Sequence, residues 1–489
     1  MNDRGSKRPR PAGDKPKRKG SPGKFSTARP RSEGGGPAGM KKAAERAGRP
    51  VEARGHDGRK PTAPRTSATG TPLPAGLPPG TVKVTLARGK SKPFWIGHPW
   101  VFSGAIDKVE GAVAAASADG LGGAPAVVAD ERDNLLGTGW YAPDAQIAVR
   151  LLWHRRTTDL PFAPPSCESL VNDRMRAALR LRESLGFPNA ATNVFRLVNA
   201  EGDFLPGLVV DRLGAVVSLQ LGSRQMLDAR PQIVAFLREA LRPERVVVSV
   251  SETSSRLEGI PTLHELEPEP GKGEKAETEV IENGLRYRID LTSMQKTGFY
   301  ADQRENRARF AALTPGKSVL DAYCHFGGFG LHAARAGAAG VTQVDTSNPA
   351  LESAREAARL NGIEGIETLN ADAIVYLKEQ QAAGRTWDRI VIDPPKFAQG
   401  RSHLEDALQK YARLNTLAMA SLAPGGLMLT CSCSRHVGED EFGRMLTESG
   451  HRLRRSVRVL ERWGQPADHP TLSVAPEGRY LKAWLVALD

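Results

Sequence analysis

The sequence predicts an α/β protein in which a doubly wound, largely parallel sheet follows a small β-barrel and a mixed α/β region. Three observations support this fold class. Strand-like and helix-like segments alternate from about residue 280 onward, as in a parallel sheet with crossover helices. Short strand patterns with little helix occupy residues 81–155, and residues 1–80 contain very few large apolar side chains. Because 489 residues exceed the size of one hydrophobic core, several domains are expected.

Residues 1–80 carry the net charge of the whole chain. They contain 19 Lys and Arg against 6 Asp and Glu, a surplus of +13 that equals the formal net charge of all 489 residues. A segment so poor in apolar side chains cannot bury enough surface to offset its ordering entropy, so it is predicted to be disordered. A basic arm that binds RNA is the favoured function, and a solubilising tail without a dedicated partner is the alternative.

Residues 81–155 are predicted to form the small β-barrel, with a surface for RNA. A basic turn containing Arg88, Lys90 and Lys92 precedes the aromatic stretch "HPWVF". Basic side chains bind phosphates and exposed rings stack on bases, so this combination is typical of RNA contact. The alternative is that Trp100 and Phe102 belong to the core of the barrel.

Residues 166–262 form the second predicted domain, which mixes helices and strands. Apolar residues in 166–187 recur at helical spacing, "FRLVNAEGDFLPGLVVDRLGAVVSLQL" predicts a hairpin, and "ARPQIVAFLREAL" predicts a helix before the strand "RVVVSVS". The acidic stretch 265–279 is expected to be a loop that leads into the third domain, residues 276–489.

Several classes of protein are excluded by composition. No run of about 18 apolar residues exists, so no membrane span is expected. The N-terminus lacks the apolar core of a secretory signal, and four cysteines make a poor disulfide framework, which favours the reducing cytoplasm. The cysteines do not form two CxxC pairs, so no metal site is expected.

The turns after the predicted parallel strands point to a nucleoside cofactor. Acidic and glycine residues recur after three successive strands, where open α/β sheets bind ligands. These candidate cofactor contacts are Asp321, Gly327 and Gly328 at the first turn, Asp345 and Thr346 at the second, and Asp372 and Ala373 at the third. An acid after the second strand is placed to accept from ribose hydroxyls. The first of these turns lacks the dinucleotide fingerprint GxGxxG, so S-adenosylmethionine fits better than NAD.

The stretch "VIDPPKFAQG" ends the fourth of these strands at a rigid turn. Asp393 lies at the carboxyl edge of the strand, and Pro394, Pro395, Lys396 and Phe397 follow it. A surface turn would explain these residues in isolation. Together with the three preceding turns they indicate a substrate site.

Longer stretches resemble a known family. Residues 280–489 resemble class I methyltransferases, and 81–489 resemble the bacterial 23S ribosomal RNA cytosine-C5 methyltransferases, through "GHPWVFSGAI", "NAEGDFLPGLVVDRLG", "QKTGFYADQRENR", "VDTS", "DPPKF" and "SCS". The resemblance implies an RNA-binding PUA domain, an α/β linker domain and a Rossmann-like catalytic domain. It implies 23S ribosomal RNA as partner, which we expect to be protein-poor or naked, and leaves a homodimer open.

The resemblance also implies the chemistry. C5 of cytosine becomes nucleophilic only after a thiolate adds to C6, and Cys433 occupies the family's S-C-S position. Asp393 is the expected contact to the N3 edge of the base, Phe397 packs near the base and Lys396 meets phosphate. Cys431 is expected to pack in the core. Many such enzymes carry a second cysteine where this chain has Lys396, so the general base stays unassigned.

Residues 295–304 are expected to form a lid over cofactor and base. Tyr300 and Gln303 would contact them and Arg304 would lie near phosphate, whereas a plain helix N-cap by Asp302 is the alternative.

Two rival functions remain at this point. A guanine-modifying methyltransferase would need no thiol, and an inert RNA-binding or ribosome-assembly factor would need no intact site.

Overall fold

The computed structural model describes residue 77 and residues 79–111, 123–155, 166–294, 297–398 and 400–489, without the side chain of residue 401. Apart from residues 77, 79 and 80, the predicted basic tail lies outside the described residues. So do residues 295 and 296 of the expected lid.

The first sheet contains six strands. Its elements are β1 (Val82–Leu86), α1 (Lys92–Trp95), β2 (Trp100–Phe102), β3 (Ile106–Glu110), β4 (Ala124–Ala129), β5 (Leu135–Tyr141) and β6 (Ile147–His154). The strand order is β2-β6-β5-β4-β1-β3, and β1 and β4 pair in parallel. Alternate side chains of β1 enter the core, since Val82, Val84 and Leu86 are fully buried.

The second sheet has five strands and packs against a long helix. Its elements are α2 (Cys167–Ser184), β7 (Val194–Asn199), β8 (Leu208–Leu213), β9 (Val216–Leu221), α3 (Arg224–Asp228), α4 (Arg230–Leu241), β10 (Arg245–Val250), α5 (Glu252–Glu258) and β11 (Leu263–Glu267), in the strand order β11-β10-β9-β8-β7. Helix α2 begins where the Ser166 side chain accepts a hydrogen bond from the Ser169 amide. We call residues 166–267 the middle region.

The expectation of a loop at 265–279 was wrong at both ends. Residues Leu263–Glu267 form the edge strand β11, which pairs antiparallel with β10. Arg230 pairs with Glu265 and Glu267, so the acidic residues are neutralised along the edge of the sheet. At the other end, Glu277–Glu282 begins a hairpin.

The C-terminal region contains this hairpin and a seven-stranded sheet. Its elements are β12 (Glu277–Glu282), β13 (Leu285–Asp290), a 3-10 turn (Ala301–Gln303), α6 (Arg304–Ala311), β14 (Ser318–Ala322), α7 (Gly328–Arg335), β15 (Gly340–Asp345), α8 (Asn348–Leu360), β16 (Ile366–Asn370), α9 (Ala373–Ala382), β17 (Trp387–Ile392), α10 (Leu404–Ala420), β18 (Leu422–Ser432), α11 (Glu439–Arg452), β19 (Val457–Trp463) and β20 (Lys482–Leu488).

The predicted α/β class with a largely parallel sheet is confirmed. The strand order is β16-β15-β14-β17-β18-β20-β19, and β14 to β18 are parallel while β20 runs antiparallel beside β18. Successive residues of β17 enter opposite layers: Ile390 and Ile392 pack with α9, α10 and α11, and Val391 packs with α6 and α7. Because helices cover both faces, a ligand site is expected at the carboxyl ends of the strands.

A buried polar network joins the middle region to the loop between β19 and β20. Arg182 binds Asp203 through two nitrogens at 2.6 and 2.8 Å and also donates to the Asp468 carbonyl. The Arg196 amide donates to the Asp468 carboxylate, and the Asn199 side chain donates to the Pro470 carbonyl. The network fixes this loop against the middle region.

Two further observations concern the described residues alone. None of their helices is both long enough and apolar enough to cross a membrane. Within the same ranges, no group of three or more His, Cys, Asp or Glu side chains is arranged to hold a metal ion.

Candidate active site

A cavity of about 1020 Å³ opens at the carboxyl ends of the parallel strands. One side, which we call the strand wall, consists of the residues that follow β14 to β18 in the C-terminal region. The opposite side, which we call the middle wall, consists of Arg196, Asn199, Ala200, Glu201, Gly202, Val209 and Gln220. Residues within 297–307, residues of α10 and residues of the 470–481 loop complete the lining. The cavity therefore lies between two regions that are distant in sequence.

The glycine turn after β14 is stabilised by the buried carboxylate of Asp321. Asp321 is fully buried and its carboxylate accepts a hydrogen bond from the Gly330 amide at 2.8 Å. Burial raises the pKa of Asp321 to about 7, against the opposing effect of the Gly330 amide. Gly327 adopts φ +77°, and a Cβ there would lie 2.6 Å from the Gln343 side chain. Gly328 lines the cavity, whereas Asp321 and Gly327 support the turn from outside the lining.

Two carboxylates lie at the carboxyl ends of β15 and β16 and face the cavity. Asp345 accepts from the His325 amide at 3.0 Å and from the Ser347 amide at 2.9 Å, which holds its side chain in place. Asp372 caps α9 by accepting from the Val375 amide and is otherwise exposed. Thr346 also lines the cavity, while Ala373 is buried just outside it.

These residues fit a cationic nucleoside better than a dinucleotide. Two carboxylates provide acceptors for hydroxyl and amino donors and attract a positive charge, whereas they would repel a pyrophosphate. The Tyr300 ring lines the same cavity and packs edge-on against His325, with ring centroids 5.0 Å apart. The donor and acceptor set therefore suits S-adenosylmethionine.

The turn after β17 presents Asp393 to the cavity. The carboxylate accepts from the Gln303 side chain at 2.9 Å, and Gln303 in turn accepts from Asn306 at 2.7 Å. The five predicted site residues of this turn all line the cavity: Asp393, Pro394, Pro395, Lys396 and Phe397. The Phe397 ring rests on Tyr411, with centroids 4.8 Å apart, so part of it belongs to the core beneath the turn.

The three cysteines near this site occupy different environments. Cys433 directly follows β18, is half-buried and lines the cavity. Cys431 is fully buried among apolar side chains, and burial raises the pKa of its thiol well above the usual range. Cys324 lines the cavity, but burial, followed by the charges of Asp321 and Asp345, raises the pKa of its thiol too. Cys433 is therefore the cysteine best placed to act as a nucleophile.

The prediction that Arg304 lies near phosphate was wrong. Its side chain is 2% exposed, binds both oxygens of Asp468 at 2.9 and 3.0 Å, and lies over the Phe187 ring. Burial opposes ionisation of Asp468, but His469 and Arg304 hold the pKa of this carboxyl well below its usual range. A guanidinium so enclosed supports the 470–481 loop and is not available to a ligand.

Exposed cations at the cavity were missed by the sequence analysis, apart from Lys396. They come from three separate segments, and their side chains are exposed: Lys396, Lys410, Arg413 and Arg435. We call them the rim cations. Lys410 and Arg413 lie three residues apart on α10, which places them on one face of the helix. That spacing was the one signal in the sequence that could have indicated them.

The basic turn of the first sheet lies away from this cavity. Arg88, Lys90 and Lys92 are exposed, and none of them lines it. Trp100 is half-buried and its indole donates to the Glu201 carboxylate of the middle wall at 3.0 Å. Phe102 is 42% exposed and packs edge-on against Trp100. The aromatic stretch thus connects the first sheet with one side of the cavity.

Comparison with known proteins gives the family. Residues 265–486 match a family model described as S-adenosylmethionine-dependent methyltransferase, and residues 84–153 match a PUA-like domain. Ribosomal RNA large subunit methyltransferase I of Photobacterium profundum is 36% identical over 413 residues, which cover 83% of this chain and 98% of that protein. The protein of the same name from Shewanella frigidimarina is 37% identical, covering 82% and 98%.

Solved structures agree in fold. The protein SMU.776, crystallised with SAH, superimposes with a TM-score of 0.68 at 18% identity, covering 83% of this chain and 99% of that one. A second solved structure, of a Streptococcus mutans protein, gives a TM-score of 0.67 at 18% identity, covering 83% of this chain and 99% of that one. The identity to full-length relatives decides the assignment: the chain belongs to the ribosomal RNA large subunit methyltransferase I family, with a PUA-like domain and with S-adenosylmethionine as its cofactor.

Proposed function

We propose that the protein methylates C5 of a cytosine in 23S ribosomal RNA through a covalent adduct with Cys433. One observation carries the proposal: Cys433 and Asp393 enter the same cavity from the ends of the adjacent strands β18 and β17, beside the carboxylates of Asp345 and Asp372. A guanine-modifying enzyme would have no use for a half-buried thiol at this point.

The chemistry follows from the low reactivity of C5. The Cys433 thiolate adds to C6, which forms an S–C6 bond and shifts electron density to C5. S-adenosylmethionine supplies an electrophilic methyl group on its sulfonium when bound. Once C5 is methylated, its proton leaves to solvent and the S–C6 bond breaks, so Cys433 is regenerated as a thiolate. Cytosine gains one methyl group in place of one proton.

Asp393 and its neighbours orient the base. A carboxyl at the N3 and amino edge can hydrogen-bond the ring where negative charge develops after thiolate addition. Gln303 holds that carboxyl, and Asn306 holds Gln303, so the position of Asp393 is set before the base arrives. The rim cations supply positive charge for the RNA backbone at the mouth of the cavity.

Nucleoside mass spectrometry tests the proposal. The purified chain is incubated with S-adenosylmethionine and 23S ribosomal RNA, either free of proteins or assembled into the large subunit. We expect 5-methylcytidine, formed more readily on the naked RNA. A methylated guanosine would instead establish the guanine-modifying alternative, and cofactor binding without any methylated nucleoside would favour an inert RNA-binding factor. Sedimentation of the same sample tests the homodimer.

An RNA containing 5-fluorocytosine tests the covalent step. Fluorine at C5 cannot leave as a proton, so the adduct should persist under denaturing conditions. Mass spectrometry of the crosslinked peptide should place the RNA on Cys433. An adduct on Cys324 or Cys431 would keep the chemistry and change the nucleophile.

A further inference from the structure

Lys482 is a buried cation that contacts the segment carrying Cys433. It is the first residue of β20, 5% exposed, and it pairs in register with Ser432, which precedes Cys433. Its ammonium donates to the carbonyl of Ser434, which follows Cys433, at 2.7 Å, and to the Tyr480 carbonyl at 2.8 Å. Lys482 therefore contacts the residues before and after Cys433: its backbone pairs with Ser432, and its ammonium donates to Ser434.

This ammonium lacks a carboxylate partner within the described ranges of the chain. Its hydrogen bonds go to two neutral carbonyls, and it takes part in no ion pair with a described Asp or Glu. Burial lowers the pKa of Lys482 to about 8, while the electrostatic effect of the neighbouring Cys433 and Glu439 side chains raises it. A cation held in low-dielectric surroundings without a counter-ion stabilises any negative charge that forms next to it.

We propose that Lys482 stabilises Cys433 as a thiolate, which makes it a positioning residue for the nucleophile. The inference rests on the proposed role of Cys433. Ionisation releases the thiol proton to solvent, and Lys482 keeps its own proton, so one buried positive charge is balanced by one negative charge. The two carbonyl contacts fix the cation, and through Ser434 they also fix the backbone that carries the sulfur.

Other titratable groups also face this pair. They are Asp393 on the turn after β17, Cys431 on β18, Tyr411 on α10 and Glu439 on α11. Neither carboxyl group favours a negative charge on Cys433, and buried Cys431 and Tyr411 stay protonated because burial raises their pKa values. The rim cations Lys396 and Arg435 line the cavity with Cys433, but their side chains are exposed to solvent, which screens their charge. Lys482 is therefore the buried cation that favours ionisation of Cys433.

The rate at which iodoacetamide alkylates Cys433, followed from pH 5 to 10 by peptide mass spectrometry, tests the inference without cofactor or RNA. For the wild-type protein we expect a midpoint below the value of about 8.5 for an unperturbed cysteine. Lys482→Gln should raise the midpoint by about one pH unit or more. Lys482→Arg, which keeps the charge, should restore most of the difference.

Three results would overturn the role of Lys482. They are a wild-type midpoint at or above about 8.5, an unchanged midpoint in folded Lys482→Gln, or an Arg variant no different from the Gln variant. Thermal unfolding and calorimetric cofactor binding establish whether the variants fold. If they do not fold, the alkylation midpoint of wild-type Cys433 still tests the inference. A low midpoint without a 5-fluorocytosine adduct would instead overturn the proposed function and keep the thiolate.

Discussion

The two sides of the cavity differ in how they are built. The strand wall consists of short turns, each following its own strand, so Asp345, Asp372 and Asp393 owe their positions to local sequence and to the order of the sheet. The middle wall is held against the cavity by contacts between residues more than 250 positions apart, such as Arg182 with the Asp468 carbonyl. The strand wall can be predicted from sequence motifs, whereas the middle wall depends on long-range contacts that form only in the folded chain.

The largest expected effect tests the nucleophile on the strand wall. Cys433→Ala should fold and bind cofactor and RNA yet lose methyl transfer, because C5 does not become nucleophilic without addition at C6. Methyl transfer to 23S ribosomal RNA is the measurement. Cys431→Ala is the matched control, and it should keep most activity with a modest loss of stability from a small cavity. Full activity of Cys433→Ala would overturn the mechanism.

Asp468 is the equivalent test for the middle wall. Asp468→Asn removes the buried charged partner of the fully buried Arg304 guanidinium and leaves it only the partly exposed Glu305 at 3.7 Å, which should lower the free energy of unfolding by about 3–5 kcal/mol. Thermal and urea unfolding measure the loss, and the exposed Asp440→Asn serves as a control that should change little. If Asp468→Asn were as stable as the control, the network would not hold the middle wall in place.

Asp345 should affect the cofactor more than the fold. Asp345→Ala removes a charged acceptor from the expected ribose site and should weaken S-adenosylmethionine binding by about 1–3 kcal/mol. Isothermal titration calorimetry measures the change. Glu352→Ala, an exposed position on α8, provides the control, and equal affinity of both variants would refute the assignment of the ribose site.

Asp321 gives a pH dependence with a defined sign. Its pKa is raised from 3.8 to about 7, so the folded state binds more protons than the unfolded state between these values. Stability contributed by this group therefore falls as pH rises from about 4 to 7. Asn at this position can still accept from Gly330 but does not ionise. The stability of Asp321→Asn relative to wild type should rise across this window and level off above it; a flat difference would contradict the raised pKa.

Local motifs predicted the sheet and its turns well, because each turn follows its own strand within a few residues. The wrong expectation for Arg304 has a different origin. Its partner Asp468 is 164 positions away, and nothing near Arg304 in the sequence indicates that a carboxylate will enclose it. The rim cations other than Lys396 were missed for the same reason, since α10 and the segment after β18 meet the β17 turn only in the folded chain. Electrostatic contacts between residues far apart in the sequence were thus the feature that could not be predicted from the sequence.

The smallest expected effect separates the two sources of positive charge. Removal of residues 1–80 should leave cofactor affinity intact and flatten the dependence of RNA binding on salt, because their surplus of +13 charges would otherwise release counterions. Lys410→Gln removes a single rim cation and should reduce the slope of log affinity against log salt by about 1. Filter binding from low to high salt measures both. An unchanged slope after the deletion would mean that the tail does not bind RNA, and an unchanged slope for Lys410→Gln would place the RNA backbone away from the rim cations.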